Sequence, residues 1–316
     1  MIYDKLILDT SNVFYRVAAF YLKNLTQEKA DELIKSNTIF NQYKSVIQNF
    51  LIQTSGKVCL LFDPLLSNGK ESTRVQIKEG YKNTRDRKSP VNVLRIDVLE
   101  KLYSYYLMSN QNRIEVYHDF EYEADDFVEK LTENGKCLMI TSDEDFCRYL
   151  EEGRVEMLKQ GLSIKDTSIF TAKNFEKKYG FKPTISSVVF WKAIYGDKSD
   201  NVIGSFKDPS TKVIRTASDE MKRLIKELGE NNVPMSEAKS QFFAGVGRFE
   251  ELKKLLQLSN TDCSYENILN LTDSNFRVIE SLLPRSSDID IEKFKVRLAV
   301  KSTPKKKFSL GGLKSK

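Results

Sequence analysis

The sequence has few of the residues on which zinc and disulfide chemistry depend. Its 316 residues include one histidine, His118, and four cysteines without CxxC spacing. One histidine gives little support to histidine-based zinc or triad chemistry. Some of the cysteines lie in strand-like runs, so we expect reduced, buried thiols rather than disulfides or a zinc site. The cysteines are Cys59, Cys137, Cys147 and Cys263.

Long apolar runs and a secretory signal are also absent. No run approaches the roughly 18 apolar residues that cross a bilayer. The first residues, MIYDKLILDTSN, enter a strand-like run at once, without the basic, apolar and small-residue order of a signal peptide. We therefore expect a cytoplasmic protein that does not bind membranes. The absence of a GxxxxGK[ST] loop disfavours phosphoryl transfer from a nucleotide.

The net charge of +6 is concentrated at the C-terminus. Residues 301–316, KSTPKKKFSLGGLKSK, hold six lysines and no acid, so the remaining 300 residues have 44 basic and 44 acidic side chains. Net charge alone therefore does not identify a nucleic-acid-binding protein. We expect residues 301–316 to form a basic, flexible tail.

Short apolar runs alternate with helical patterns through the first two hundred residues, which predicts βαβ units and a mainly parallel sheet. Three of these runs, KLIL, VCLLF and CLMITS, lead directly into Asp9, Asp63 and Asp143. In an open α/β sheet, ligands bind outside the carboxyl ends of the strands, so the three carboxylates are expected to converge. Any one of them has an ordinary structural reading as a strand end or helix cap.

Further acids lie in short motifs. YEADDF contains Glu123, Asp125 and Asp126 ahead of an apolar helical face, where acids also favour a helix start. The other acids are Asp143 and Asp145 in SDEDF, and Asp197 and Asp200 in GDKSDN. Crowding these carboxylates in one crevice is costly unless cations neutralise them, and oxygen ligands suit Mg²⁺ or Mn²⁺. Two such ions can promote phosphodiester hydrolysis.

A basic segment follows the second strand. Lys70, Arg74, Lys78 and Lys82 recur every four residues, and Tyr81 and Arg85 lie beside the last of them. If the segment is helical, its cationic stripe is either a solvated surface or a phosphate-binding face with an aromatic for base stacking.

The motifs form an ordered series: LILDTSNVFYR, LLFDP, STRxxxxxxYKNTR, YEADDFVEKL, MITSDEDFCRYL and IYGDKSDNVIG. The series, over residues 5–204, resembles that of the 5′→3′ exonuclease and flap endonuclease (5′-nuclease) family, especially the RNase H-type replication nucleases of phages. The resemblance implies an α/β fold of the PIN or 5′-nuclease type, with a mainly parallel central sheet flanked by helices, a helical arch and a smaller α-helical C-terminal domain.

The resemblance also implies roles for individual residues. Two Mg²⁺ or Mn²⁺ ions would be bound, the first by Asp9, Asp63, Glu123 and Asp125, and the second by Asp143, Asp145, Asp197 and Asp200, with Asp126 nearby. Lys82 and Arg85 match the family's basic pair, which contacts the scissile phosphate. Arg74 and Tyr81 match positions that steer the 5′ strand, and Lys78 lies on the same basic stripe.

After Asn201 the chain departs from the family pattern. Many members have a glycine-rich hairpin that binds the duplex there, but this chain reads VIGSFKDPST. Lys207, Lys212 and Arg215 would provide phosphate contacts instead, unless the segment only packs helices. We expect residues 1–205 to form the catalytic domain, with the arch at about 67–95, and residues 206–300 to form a helical DNA-binding domain.

The sequence therefore predicts a monomeric, metal-dependent 5′ nuclease that removes RNA primers or 5′ flaps in a bacterial cell or phage-infected host. Its partners would be DNA with flaps or nicks and RNA–DNA hybrids, with a sliding clamp or single-strand-binding protein as a further partner of the tail. The alternatives are a catalytically silent relative that binds branched DNA or recruits replication proteins, and a PIN-type ribonuclease. The latter predicts fewer acids and no basic arch.

Overall fold

The computed structural model describes most of the first 203 residues and parts of the rest. The described ranges are 3–64, 88–109, 111–162, 169–197, 202–203, 212–231, 233, 237–238, 240–241, 265–281 and 289–295. Residues 67–87, which make up most of the arch predicted at about 67–95, lie outside them, as does the predicted tail.

A six-stranded sheet forms the centre. Its strands are Lys5–Asp9 (β1), Lys57–Phe62 (β2), Ile114–His118 (β3), Cys137–Ile140 (β4), Val155–Leu158 (β5) and Ile169–Phe170 (β6). They lie in the order β3-β2-β1-β4-β5-β6. Neighbouring strands are parallel, except that β6 pairs antiparallel with β5. The predicted mainly parallel sheet is confirmed. A separate hairpin joins Gly196–Asp197 (β7) to Val202–Ile203 (β8).

Helices follow the strands, and several begin at polar residues whose side chains accept a backbone N–H, such as Ser89 before Pro90 and Thr184 before Ile185. The α-helices are Thr10–Leu22 (α1), Gln27–Ser36 (α2), Thr38–Gln53 (α3), Pro90–Met108 (α4), Val128–Thr132 (α5), Ala172–Tyr179 (α6), Ile185–Tyr195 (α7), Lys212–Glu230 (α8), Tyr265–Ser281 (α9) and Ile291–Phe294 (α10). Within the described ranges, two 3₁₀ helices are Ala124–Phe127 and Glu144–Tyr149.

Each face of the sheet packs into its own hydrophobic core. Leu6 and Leu8 of β1 belong to one core with Phe14 of α1. Ile7, between them, belongs to the other core with Phe190 of α7. Successive side chains of a strand point to opposite faces, so burial on both faces explains why the strands are continuous apolar runs. Among the described cysteines, Cys59, Cys137 and Cys147 are buried and free, as predicted, and Cys263 lies outside the described residues.

The C-terminal helices α8 and α9 pack against α7. The rings of Phe190 and Phe276 stack with their centroids 4.7 Å apart, and Asn275 Nδ2 donates to Ala193 O over 2.9 Å. These helices lie in the region where the sequence predicted helices. The division into domains at residues 205 and 206 stays a prediction. Within the described ranges, no helix combines the length and apolar character needed to cross a membrane.

The segment that contains α10 returns to the edge strand β3. Lys295 forms an isolated antiparallel bridge with Tyr117, and its ammonium group contacts Glu115 Oε1. Lys57 Nζ lies 2.7 Å from the same oxygen, and Tyr117 OH donates to Glu115 Oε2 over 2.8 Å. Burial raises the pKa of Glu115, but these hydrogen bonds outweigh it and bring the pKa down to about 2. Glu115 therefore joins the C-terminal segment to the sheet as a carboxylate.

Replacement Glu115→Gln should lower the free energy of unfolding at neutral pH by about 3 kcal/mol, because Lys295 would lose its buried partner. The folded-state pKa of Glu115 is below its ordinary value of 4.5, so its stabilisation is present above pH 4.5 and is lost as the pH falls toward 2. Urea unfolding at several pH values should show that the free energy of unfolding falls less on acidification in the variant than in the wild type. Glu133→Gln, which breaks the exposed pair with Lys130, should lower the free energy of unfolding far less, because solvent screens exposed ion pairs. Equal costs for the two variants would contradict the proposed role of Glu115.

Candidate active site

Three aspartates meet at the carboxyl ends of three adjacent strands. Strand β1 lies between β2 and β4. Asp9 is the last residue of β1, Asp63 directly follows β2, and Asp143 lies three residues after β4. Parallel strands end at the same edge of a sheet, so the structure brings these carboxylates together as the sequence predicted.

Asp9 is the buried centre of the group, with 7% of its surface exposed. One oxygen, Oδ1, accepts the backbone N–H of Asn12 over 3.0 Å and so begins α1. The other, Oδ2, accepts the hydroxyl of Thr141 over 3.1 Å. Both carboxylate oxygens are therefore held by neutral donors from the residues that follow β1 and β4.

Asp63 connects β2 to the motif that contains Glu123. Its Oδ2 accepts the hydroxyl of Ser11 over 2.6 Å, and its Oδ1 accepts the backbone N–H of Ala124 over 3.1 Å. The second bond fixes the start of the 3₁₀ helix Ala124–Phe127 beside the end of β2. Asp63 therefore orients Glu123 and Asp125 at the same edge of the sheet.

Thr141 links Asp9 to Asp143. The fully buried Thr141 hydroxyl donates to Asp9 and accepts the backbone N–H of Asp143 over 3.0 Å. Asp143 Oδ1 in turn accepts the backbone N–H of Asp145 over 3.0 Å and starts the 3₁₀ helix Glu144–Tyr149. Ser11 and Thr141 were not among the predicted site residues, although each is a hydroxyl residue two positions from a predicted site acid.

Like charges act on Asp9. Burial, followed by the charges of Asp63 and Asp143, raises the pKa of Asp9 to about 7, against the lowering effect of its hydrogen bonds to Asn12 and Thr141. Ionisation of all these acids at neutral pH is therefore unfavourable unless a cation is nearby. A carboxylate whose pKa is perturbed by burial and by neighbouring acids is typical of a functional site.

Glu123 and Asp126 begin the 3₁₀ helix by reciprocal capping. Asp126 Oδ2 accepts the backbone N–H of Glu123 over 2.7 Å, and the Glu123 side chain accepts the backbone N–H of Asp126. Both side chains are buried. Asp126 thus has a structural role, and the ion contact inferred for it stays a prediction.

Two other site acids form ion pairs with buried basic residues that were not among the predicted site residues. Arg148 Nη2 lies 3.3 Å from Asp125 Oδ2. Lys192 of α7 forms an ion pair with Asp145. Arg148 lies in the same motif as Asp143 and Lys192 lies five residues before Asp197, but neither sequence position indicates which acid it faces.

The remaining predicted site residues are described only in part or not at all. The backbone of Asp197 forms β7 and pairs with Val202, but its side chain lies outside the described structure. Lys212 and Arg215 lie in α8, and their side chains are likewise not described. The predicted residues that lie wholly outside the described ranges are Arg74, Lys78, Tyr81, Lys82, Arg85, Asp200 and Lys207.

The described acids fit a hard divalent cation by their chemistry. The carboxylates of Asp9, Asp63 and Asp143 are oxygen donors, and their mutual repulsion is the kind of strain that such a cation relieves. In the described part of the chain, no group of three or more histidine, cysteine, aspartate or glutamate side chains is arranged to hold a metal ion. The side chains of Asp197 and Asp200 were predicted ligands and are not among those described.

The sequence matches the model of a known protein family over residues 4–180, described as the 5′-3′ exonuclease N-terminal resolvase-like domain. The match covers more than half of the chain and every described site acid. The chain belongs to this 5′-3′ exonuclease family, a family of nucleases, which confirms the resemblance inferred from the motif series.

Solved structures of phage T5 proteins are similar to this chain. One is a T5 5′-exonuclease with bound zinc, at 14% identity and a TM-score of 0.46 over 86% of this chain and 98% of the other. Another is a T5 flap endonuclease in a complex with DNA and metal ions, at 15% identity and a TM-score of 0.46 over 87% and 99% of the two chains. No curated protein matches the sequence significantly.

Replacement Thr141→Val keeps the side-chain volume but removes the hydroxyl that joins Asp9 to the Asp143 backbone. We expect the free energy of unfolding to fall by about 1–3 kcal/mol, because a buried N–H and a carboxylate oxygen lose their partner. Thr141→Ser, which keeps the hydroxyl, should lose less. Urea unfolding of both variants measures the difference, and a Val variant as stable as the Ser variant would show that the hydroxyl does not matter.

Proposed function

We propose that this chain is a divalent-metal-dependent 5′→3′ exonuclease or flap endonuclease. It would hydrolyse phosphodiesters near the 5′ end of DNA or of RNA–DNA hybrids and remove RNA primers or 5′ flaps during DNA replication. The observation that carries the proposal is the group of carboxylates around the buried Asp9, in which burial and the charges of Asp63 and Asp143 raise the pKa of Asp9 to about 7. In a member of the 5′-3′ exonuclease family, a cluster at this edge of the sheet suits metal-assisted hydrolysis.

The site acids are the proposed ligands of two Mg²⁺ or Mn²⁺ ions. Divalent ions supply the activation of a water molecule and the stabilisation of the leaving oxygen. Neutral hydrogen bonds to Asp9 and Asp63 orient these carboxylates in advance. The proposed ligands are Asp9, Asp63, Glu123 and Asp125 for the first ion, and Asp143, Asp145, Asp197 and Asp200 for the second.

Basic residues whose side chains lie outside the described structure complete the proposal. Lys82 and Arg85 would contact the scissile phosphate and stabilise its developing charge. Support comes from the family match, which spans both residues. Arg74, Lys78 and Tyr81 would steer the 5′ strand, and Lys207, Lys212 and Arg215 would contact duplex phosphates. A monomeric state, a cytoplasmic location and the binding of a clamp or single-strand-binding protein by residues 301–316 also stay predictions.

A catalytically silent relative that binds branched DNA is the second candidate. It is favoured by one observation, since Arg148 and Lys192 already neutralise Asp125 and Asp145 in the structure. A silent relative would usually have lost some of the acids, whereas every acid of the motif series is present. Cleavage of a 5′-labelled flap, a nicked duplex and an RNA–DNA hybrid, with Mg²⁺ and with EDTA, distinguishes the two candidates.

Replacement of Asp143 or Asp197 by Asn should lower the cleavage rate at saturating substrate by at least about a hundredfold, because each loses a charged ligand worth several kcal/mol to the transition state. Binding of flap DNA, measured in EDTA by fluorescence anisotropy, should change little. Asp31→Asn, at an exposed residue of α2, is the matched control and should cleave normally. Normal cleavage by the Asp143 variant would remove that residue from the site, and loss of folding would make it structural.

Replacement Lys82→Ala should slow the chemical step by about a hundredfold, as expected when one charged donor to the reacting phosphate is removed. Single-turnover cleavage measures this step, and anisotropy should show little change in duplex binding. Lys35→Ala, at an exposed residue of α2, controls for the loss of one positive charge. A parallel loss of binding and rate would instead make Lys82 a binding residue.

A further inference from the structure

The site acids fall into two groups according to what holds them. Asp9 and Asp63, at the ends of β1 and β2, accept hydrogen bonds from hydroxyl and backbone donors. Asp125, on the 3₁₀ helix after β3, instead faces the guanidinium group of Arg148, on the 3₁₀ helix after β4. The 3₁₀ helix that carries Asp125 begins at a hydrogen bond to Asp63, so Arg148 brings a positive charge next to the group in which Asp63 and Asp143 repel Asp9.

The charge of the buried Arg148 side chain is compensated by Asp125. The side chain is 6% exposed, and its Nη2 atom lies 3.3 Å from Asp125 Oδ2. The guanidinium carbon lies 5.2 Å from the ring centroid of Tyr149, and within the described structure Nε has no hydrogen-bond partner. Removing one member of a buried ion pair leaves an uncompensated charge. Separation of Arg148 from the Asp125 carboxylate is therefore energetically unfavourable.

A divalent ion at Asp125 would lie close to the same guanidinium group. The two cations would share one carboxylate, and their repulsion is strong because the surroundings are buried. Arg148 contacts Oδ2, and a carboxylate has a second oxygen through which it can coordinate an ion. Arg148 can therefore orient Asp125 and at the same time reduce the electrostatic attraction of the cluster for a metal.

We infer that Arg148 is a positioning residue that acts as the counter-ion of Asp125 in the ion-free protein and weakens divalent-metal binding at the carboxylate cluster. The inference rests on the proposed metal dependence. It assigns Arg148 a role in tuning the ion requirement of the enzyme, through Asp125 and without contact to the substrate. The ion pair also prevents an accumulation of uncompensated negative charge before an ion binds.

The test measures Mn²⁺ binding to the metal-free, full-length protein by isothermal titration calorimetry, without substrate. Arg148→Met, which removes the charge and keeps much of the length, should bind Mn²⁺ roughly tenfold more tightly, because one nearby positive charge is lost. Arg148→Lys, which keeps the charge, should stay within about twofold of the wild type. Arg154→Met is the matched control, because Arg154 pairs with Glu151 at the amino end of β5, and it should leave the affinity unchanged.

A second readout separates this role from a structural one. Arg148→Met should unfold at a lower temperature than the wild type without metal, and Mn²⁺ should raise its unfolding temperature by more than it raises that of the wild type. A merely structural residue would lose stability and Mn²⁺ affinity together. If the Met variant does not fold, Arg148→Gln, which is neutral but can still hydrogen-bond Asp125, carries the same expectation.

Unchanged or weaker Mn²⁺ binding by a folded neutral variant would overturn the inference and leave the proposed function intact. Failure of the wild type to bind Mn²⁺ both with and without a flap substrate would overturn the proposed metal dependence, and this inference with it. Tighter binding by the neutral variants alone, with normal binding by the Lys and Arg154 variants, would support the role of Arg148.

Discussion

The repulsion among carboxylates at the ends of adjacent parallel strands is the constraint around which this structure is arranged. Asp9 lies at the end of the strand between the two that lead to Asp63 and Asp143. Burial and the two neighbouring charges raise its pKa to about 7. The local structure stabilises this unfavourable group, which is a feature of functional sites rather than of structural cores.

Hydrogen bonding and ion pairing provide this stabilisation in different parts of the site. The Thr141 hydroxyl ties β1 to the loop after β4, and Asp63 ties β2 to the start of the next 3₁₀ helix. Asp125 and Asp145, which lie on the two 3₁₀ helices, are paired with Arg148 and Lys192. Each short element that bears an acid is thereby fixed by the acid itself, so a change at one carboxylate is expected to disturb the position of its neighbours.

Much of the fold and part of the site follow from local patterns. Apolar runs that end in aspartate predicted the strands and the edge of the sheet where the site lies, because a parallel strand buried on both faces needs a continuous apolar run. The motif series predicted the family, which the match over residues 4–180 confirms. The capping role of Asp126 was not predicted, because an acid at a helix start looks the same whether it binds its own backbone or an ion.

The amino-acid sequence alone determined the identity of the acids, the type of sheet and the family, because each of these depends on residue type and local spacing. The order of the strands, which places β1 between β2 and β4, and the choice of partner for each acid were decided only in the tertiary structure. Arg148 and Asp125 are 23 residues apart, and Lys192 and Asp145 are on different elements. Local spacing carries no information about such pairs, because they form only when separate elements pack against one another.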